Sequence, residues 1–228
     1  MIFGDLFSLT PAFPGLKELI ELYKELDLEA ERFKKVSGLD CVKRCKQCCT
    51  PERAQIEASV FECLPLGIHL WKLGEADSFL QRISSGEAKN LCGLYNADDS
   101  ALSASGCKHY AWRPLLCRLF GFSAVLDKHG QPRMALCRAL KDADPQAEDW
   151  TNRNLARGLK PMILPHWAEK VSSLNPHLGQ KRHPINLALR FALERVGFYT
   201  YLLQAGGDKS PGKEQEGVKE NLVEKRSY

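Results

Sequence analysis

Residues 41–49 read CVKRCKQCC and place four of the nine cysteines of the chain within nine positions. Thiolates are soft metal ligands, and two of them separated by two residues can bind one metal ion from a tight turn. Cys45 and Cys48 have this spacing, and Cys41 and Cys49 bring two further sulfur atoms close. Because adjacent side chains point in different directions, we expect Cys48 and Cys49 to suit two metal ions, or one multi-iron cluster, better than one zinc ion.

Four single cysteines follow this stretch and complete the predicted set of sulfur ligands. A second run, CKHYAWRPLLCRLF at residues 107–120, contains two of them together with two arginines. Cys63 is left out, because a lone cysteine in an apolar stretch is more often a small core residue than a ligand. The predicted metal ligands are Cys41, Cys45, Cys48, Cys49, Cys92, Cys107, Cys117 and Cys137.

These two runs together resemble a family of cysteine-cluster proteins that is described as zinc- or iron-chelating. Members combine a CxxCxxCC opening with a later run that contains RPxxCRxF, and the present chain has x3 in its first spacing. The resemblance spans about residues 41–138 and implies that Cys92 and Cys137 also belong to the metal site. The residues that match the second run are Cys107, Tyr110, Arg113, Pro114, Cys117, Arg118 and Phe120. An enzyme of this type, the flagellin lysine methylase, suggests an alternative function in which a metal-dependent enzyme modifies a protein substrate.

Composition and charge exclude several classes of partner. The chain is 44% apolar and 26% charged with a net charge of +4, which is mildly basic without a clustered stripe, so a nucleic-acid partner is not expected. No stretch approaches the roughly 18 apolar residues of a membrane-spanning helix, and the N-terminus does not resemble a secretory signal. We therefore expect no membrane partner and a cytoplasmic location, where thiols stay reduced. Nine cysteines, an odd number, also fit a disulfide framework poorly.

Apolar spacing predicts a mostly α fold. Apolar residues recur every three or four positions over 16–36, which indicates a first helix. Thr50 and Pro51 suit the first positions of a second helix, and Pro65 and Gly67 are expected to interrupt it. We expect an irregular helical arrangement that the cysteine-rich metal site staples together.

The remaining pattern predicts a small β-hairpin and a long last helix. Short apolar runs on both sides of the turn sequence DKHG predict the hairpin near 122–136. Pro184 can begin a helix that continues through Leu203. Apolar residues lie on more than one face of this helix, so we expect it to be central to the core or to meet a partner.

The chain is long enough for one sizeable core. We expect a single composite domain over residues 1–205, with its metal-binding part at about 41–138. Residues 206–228 are charged and aperiodic, which predicts a disordered tail.

A site with eight thiolates carries a formal charge of −8 and needs positive groups nearby. Arg113 and Arg118 are expected to supply them, since arginine keeps its charge and donates several hydrogen bonds in a fixed fork. His109 adjoins the site and could ligate metal or move protons, although a packing role is favoured. No other catalytic motif is present. The spacing CxxxCxxC at Cys41 to Cys48 also matches the pattern of enzymes that carry out radical chemistry with an iron–sulfur cluster. Those enzymes use a barrel of repeated strand–helix units, and no such units follow in this sequence.

Two classes of function remain open. In the first, the protein binds zinc or iron, including an iron–sulfur cluster, in a structural, storage or interaction role. In the second, the metal site is catalytic or redox-active and acts on a protein substrate. The irregular cysteine spacing favours iron, because zinc sites usually use paired CxxC units. The expected partners are therefore metal ions and a protein partner or substrate.

Overall fold

The computed structural model of the chain describes residues 9, 11–41, 48–49, 56–86, 91–95 and 106–207. Within these parts the chain is mostly helical with small sheets, which confirms the predicted mostly α fold class. The helices are α1 (Leu16–Ser37), α2 (Val60–Leu73), α3 (Ala76–Ser84), α4 (Leu115–Leu119), α5 (Arg138–Ala143), α6 (Ala147–Ala156), α7 (Leu164–Leu174), α8 (Pro176–Gly179) and α9 (Ile185–Gly207). The strands are β1 (Glu57–Ser59), β2 (Ser123–Leu126), β3 (Pro132–Met134), β4 (Met162–Ile163) and β5 (Arg182–Pro184). Outside the described residues lie Cys45, the predicted helix start at Thr50 and Pro51, and residues 208–228 of the predicted tail.

Helix α1 confirms the helix predicted over 16–36, and a glycine lies at each of its ends. Gly15 and Gly38 have φ values of +83° and +69°, a left-handed conformation that glycine adopts at little cost. The apolar stripe of the helix is buried, with Leu19 and Tyr23 among its members. Local spacing and end residues therefore account for this element.

Helix α2 differs from the prediction, because Pro65 and Gly67 do not interrupt it. A short strand, β1, precedes the helix, which begins at Val60 and runs unbroken to its end. Ser59 and Glu62 form a reciprocal capping box, in which Ser59 N–H donates to the Glu62 carboxylate at 2.7 Å and Glu62 N–H donates to Ser59 Oγ at 3.2 Å. Ten of the fourteen residues of α2 are buried, Pro65 among them, so burial offsets the backbone hydrogen bond that proline cannot make.

Helices α2 and α9 pack closely along each other. The indole N–H of Trp71 donates to Leu193 O at 2.9 Å. A Cβ added at Gly67 would lie 3.5 Å from the backbone of Ala192, and one at Gly197 would lie 2.7 Å from the ring of Trp71. These contacts advance in the same direction along both helices, and the absence of a side chain at Gly197 makes room for the Trp71 ring.

The hairpin predicted near 122–136 is confirmed, since β2 pairs with β3 in antiparallel register. Asp127 shapes its turn by accepting the backbone N–H groups of His129 and Gln131 at 2.8 and 2.9 Å. A third strand, β4, pairs with β2 in parallel and was not predicted. Its two-residue length gives no periodicity that a sequence could reveal.

The hydrophobic core includes side chains of α1, α2 and α9, with Leu19, Phe61 and Leu189 fully or almost fully buried. Strand β1 pairs with β5 in antiparallel register directly before α2 and α9 begin. In the part of the chain that the structure describes, no helix has both the length and the apolar character needed to cross a bilayer.

We expect Gly67→Ala and Gly197→Ala to change stability in opposite directions. At Gly67 the new methyl group meets its neighbours at ordinary contact distance, so replacing a helical glycine stabilises the protein by about 0.5–1 kcal/mol. At Gly197 the methyl group overlaps the Trp71 ring, and overpacking costs about 1–3 kcal/mol. Urea unfolding midpoints measure both variants. Equal midpoints would contradict the packing described for α2 and α9.

Candidate metal centre

Seven of the eight predicted ligands lie within the described residues, and no disulfide joins the cysteines found there. Cys45 lies outside the described residues, so the structure gives no position for it. The other seven come from four regions of the chain: the end of the loop after α1, the residues after Cys45, the segment 91–95, and the stretch from Cys107 to Cys137.

The adjacent thiols of Cys48 and Cys49 approach each other, with 3.8 Å between their Sγ atoms. Two sulfur atoms bound to one tetrahedral metal ion at about 2.3 Å are separated by about 3.8 Å. The expectation that these neighbouring side chains diverge is therefore wrong, and the pair can reach a single ion. The tight turn at these residues brings the two side chains to the same side.

Backbone hydrogen bonds connect the segments that carry Cys49, Cys92 and Cys107. The N–H of Cys92 donates to Cys49 O at 3.2 Å. Cys48 lowers the pKa of the Cys49 thiol, but the Cys92 thiol and burial outweigh this effect and raise the pKa. Cys107 forms an isolated β-bridge with Tyr95, and the backbone N–H of Lys108 donates to Leu94 O at 3.0 Å. Three stretches that are distant in sequence are thus joined side by side.

Cys117 lies within electrostatic range of Cys48, Cys49 and Cys107. Burial raises the pKa of Cys117 well above its ordinary value, and burial also raises the pKa of Cys107. The hydrogen bond with Cys49 is the largest cause that raises the pKa of Cys48. Together with Cys92, these residues form a group that we call the five-thiol cluster: Cys48, Cys49, Cys92, Cys107 and Cys117. Crowding and burial favour the protonated thiol at Cys48, Cys49, Cys107 and Cys117 unless a cation lies among them.

Two further predicted ligands, Cys41 and Cys137, are half-buried against the hydrophobic core. The backbone N–H of Cys41 donates to the Asp40 carboxylate at 2.8 Å. The Sγ of Cys137 lies 3.3 Å from the position of a Cβ at Gly121, at the N-terminal end of α5. The contacts described for Cys137 do not bring it into the five-thiol cluster.

Arg113 supplies positive charge to the cluster, as the sequence predicted. Its charge lowers the pKa of Cys48, Cys107 and Cys117, opposing the larger effects that raise these values. The guanidinium lies 3.2 Å from the centre of the Tyr110 ring and donates to Tyr110 O at 2.7 Å and to Cys117 O at 3.0 Å. Arg113 is therefore fixed in place beside the thiols.

Arg118 is hydrogen-bonded to backbone oxygens and to a carboxylate rather than to the thiols. Its side chain is 5% exposed, and its donors reach Arg113 O at 2.7 Å, Ala111 O at 2.6 Å and the Asp27 carboxylate at 2.5 Å. The guanidinium also lies 4.4 Å from the centre of the Tyr23 ring on α1. Arg118 thus ties the segment before Cys117 to α1 and sets its course.

His109 turns its side chain towards Glu75, which sequence reasoning did not identify. The Oε2 atom of Glu75 lies 3.2 Å from His109 Nε2 and 2.8 Å from Lys108 Nζ. Burial lowers the pKa of His109, and the hydrogen bond with Lys108 lowers the pKa of Glu75. The His109 ring also packs edge-on against His69, with 5.3 Å between ring centres. This arrangement agrees with the packing role favoured for His109.

Cys63 is completely buried within α2 and belongs to the hydrophobic core, as expected for a residue left out of the site. Burial raises the pKa of its thiol well above the ordinary value. It therefore offers a cysteine in the same chain against which substitutions in the five-thiol cluster can be compared.

Among the residues that the structure describes, no three His, Cys, Asp or Glu side chains are arranged as a ready metal site. Comparison of the chain with protein-family models, curated proteins and solved structures found no match. The resemblance to the cysteine-cluster family therefore stays a prediction from the two sequence runs. Beyond this resemblance, the structure supplies the distances and electrostatic contacts of the five-thiol cluster.

We expect Arg118→Lys to destabilise the protein by about 2 kcal/mol, because one ammonium group cannot replace three directed guanidinium bonds in a buried position. Arg138→Lys is the matched control, since Arg138 is exposed and its ion pair with Asp142 spans 3.6 Å. Chemical unfolding measures both variants. If the two lose the same free energy of unfolding, Arg118 does not hold the segment before Cys117 in the way described.

Proposed function

We propose that this protein is a cytosolic metal-binding protein that holds zinc or iron through cysteine thiolates, with iron present as an ion or as an iron–sulfur cluster. The observation that carries the proposal is the five-thiol cluster, whose members come from separate segments of the chain. The ligands that we assign are those predicted from the sequence: Cys41, Cys45, Cys48, Cys49, Cys92, Cys107, Cys117 and Cys137.

Electrostatics supports a cation at this place. Cys49 and Cys107 are 7% and 4% exposed, and several ionised thiols so close together and so poorly hydrated would repel one another. Arg113 supplies one positive charge. A bound divalent metal ion would supply the rest, and it would deprotonate the thiols that coordinate it.

The donor chemistry fits zinc and iron better than harder cations. Magnesium and calcium prefer oxygen ligands, whereas thiolates select zinc and iron–sulfur centres. The 3.8 Å separation of Cys48 and Cys49 sulfurs suits one tetrahedral ion. When bound, zinc with four sulfurs would stabilise the fold, while an iron centre would also allow electron transfer.

A metal-dependent enzyme that modifies a protein substrate is the second candidate. The sequence resemblance suggests it, and a cavity beside the segments that carry Cys92 and Cys107 supports it. A catalytic metal site keeps one position open for substrate, whereas a structural site is closed by protein ligands. The number of sulfur ligands around the metal therefore separates the two candidates.

Cys117→Ser should lower the bound metal per chain and the melting temperature together, because a metal site of this kind contributes its binding free energy to folding. In a domain of this size each kcal/mol lost lowers the melting temperature by about 2–4 °C. Metal content is measured by elemental analysis of protein purified without oxygen, and stability is measured by thermal unfolding.

Cys63→Ser is the matched control for this experiment. It places a hydroxyl in the hydrophobic core and should cost stability, but it should leave the metal content unchanged, because Cys63 lies in the core of α2. Equal metal loss in both variants, or unchanged metal in Cys117→Ser, would contradict the ligand assignment.

A further inference from the structure

A cavity of about 260 Å³ lies beside the five-thiol cluster, and none of its lining residues is an assigned metal ligand. One wall is formed by Leu70 of α2 and by residues 75–82 along α3, and the other walls are the residues that follow Cys92 and Cys107. Ionisable side chains dominate its polar lining: Glu75, Arg82, Lys108 and His109. Its volume is below the roughly 300–1,000 Å³ of pockets for drug-sized ligands, so it suits a small molecule.

The charges of the cavity are partly paired and leave an excess of positive charge. Glu75 Oε2 accepts from Lys108 Nζ at 2.8 Å and lies 3.2 Å from His109 Nε2. The Glu75–Lys108 pair is therefore self-neutralised. Arg82, in contrast, has no carboxylate partner among the described residues, and its Nη2 donates to the backbone oxygen of Gly93. A guanidinium at the wall of a cavity favours an anion when, as here within the described parts of the chain, no carboxylate is paired with it.

Hydrogen bonds and close packing hold the wall around Arg82 in place. Little conformational entropy is therefore lost when a ligand binds there. The N–H of Gly93 donates to Asn186 Oδ1 at 2.8 Å, and Asn186 Nδ2 donates to Leu91 O at 2.9 Å. Gly93 packs so closely on Phe79 that an added Cβ would lie 2.6 Å from the ring. The hydrogen bond to Gly93 thus fixes one edge of the guanidinium, and its other donors keep their fork geometry.

We propose that this cavity binds a small organic anion, a carboxylate or a phosphate ester, with Arg82 as its principal cation. Ser78 adds a hydroxyl at the rim, and the Glu75–Lys108 pair leaves the charge of Arg82 unopposed by the other described lining residues. The ligand lies next to the segments that carry Cys92 and Cys107. The proposal does not depend on metal binding, since none of the cavity's charged groups is an assigned metal ligand.

Equilibrium dialysis of the full chain with labelled inorganic phosphate or labelled succinate tests the proposal. We expect one equivalent of one of these anions to bind saturably, and the anion that binds more tightly distinguishes a phosphate ligand from a carboxylate ligand. Arg82→Gln should weaken that binding about tenfold or more, since a charge-assisted pair of hydrogen bonds is lost. Arg153→Gln, which removes an exposed arginine on α6, should leave binding unchanged.

Two further variants keep the test decisive. Arg82→Lys retains the charge and should weaken binding less than Arg82→Gln, and Ser78→Trp should block the cavity while leaving Arg82 in place. Metal content should stay at the wild-type level in all of these variants, so failure of this proposal is distinguishable from failure of metal binding. The absence of saturable binding by both anions, or equal binding by Arg82→Gln and Arg153→Gln, would overturn the proposal.

Discussion

The close packing of α2 on α9 is the constraint on which the cysteine region depends. The absence of a side chain at Gly197 makes room for Trp71, whose indole N–H donates across the gap to Leu193 O at 2.9 Å. The end of α2 leads directly to Glu75 and α3, while α9 presents Asn186 near its start. Asn186 holds the backbone on both sides of Cys92. The position of that cysteine therefore follows from how two core helices meet.

Sulfur, positive charge and backbone hydrogen bonds then define the five-thiol cluster together. The backbone joins the cysteine segments, Arg113 offsets part of the charge, and Arg118 anchors the adjoining segment to α1 through Asp27. Burial raises the pKa of Cys117 and so opposes ionisation of its thiol. A bound metal ion, as proposed, would reverse this balance, because coordination stabilises the thiolates that burial disfavours. Folding and metal binding are coupled in this account for that reason.

Local patterns in the sequence predicted the elements that local physics determines, namely α1, the hairpin and the long α9. Pro65 was misleading because its cost in an isolated helix is real, whereas the cost is offset here by the burial of most of α2. The approach of Cys48 and Cys49 depends on the turn that carries them, which residue spacing alone does not specify. The partner of Arg118 lies 91 positions away at Asp27, and no short-range pattern encodes such a pair. The cluster's membership could thus be predicted in large part, but the roles of its supporting side chains could not.

X-ray absorption at the zinc and iron edges, on protein produced and purified without oxygen with both metals supplied, tests the central claim most directly. The account predicts a stoichiometric metal whose nearest neighbours are sulfur atoms at about 2.3 Å. Acid-labile sulfide would accompany iron held in a cluster, and zinc alone would leave a structural or binding role. Folded protein that contains neither metal above trace amounts, or metal bound mainly by oxygen and nitrogen, would contradict the account.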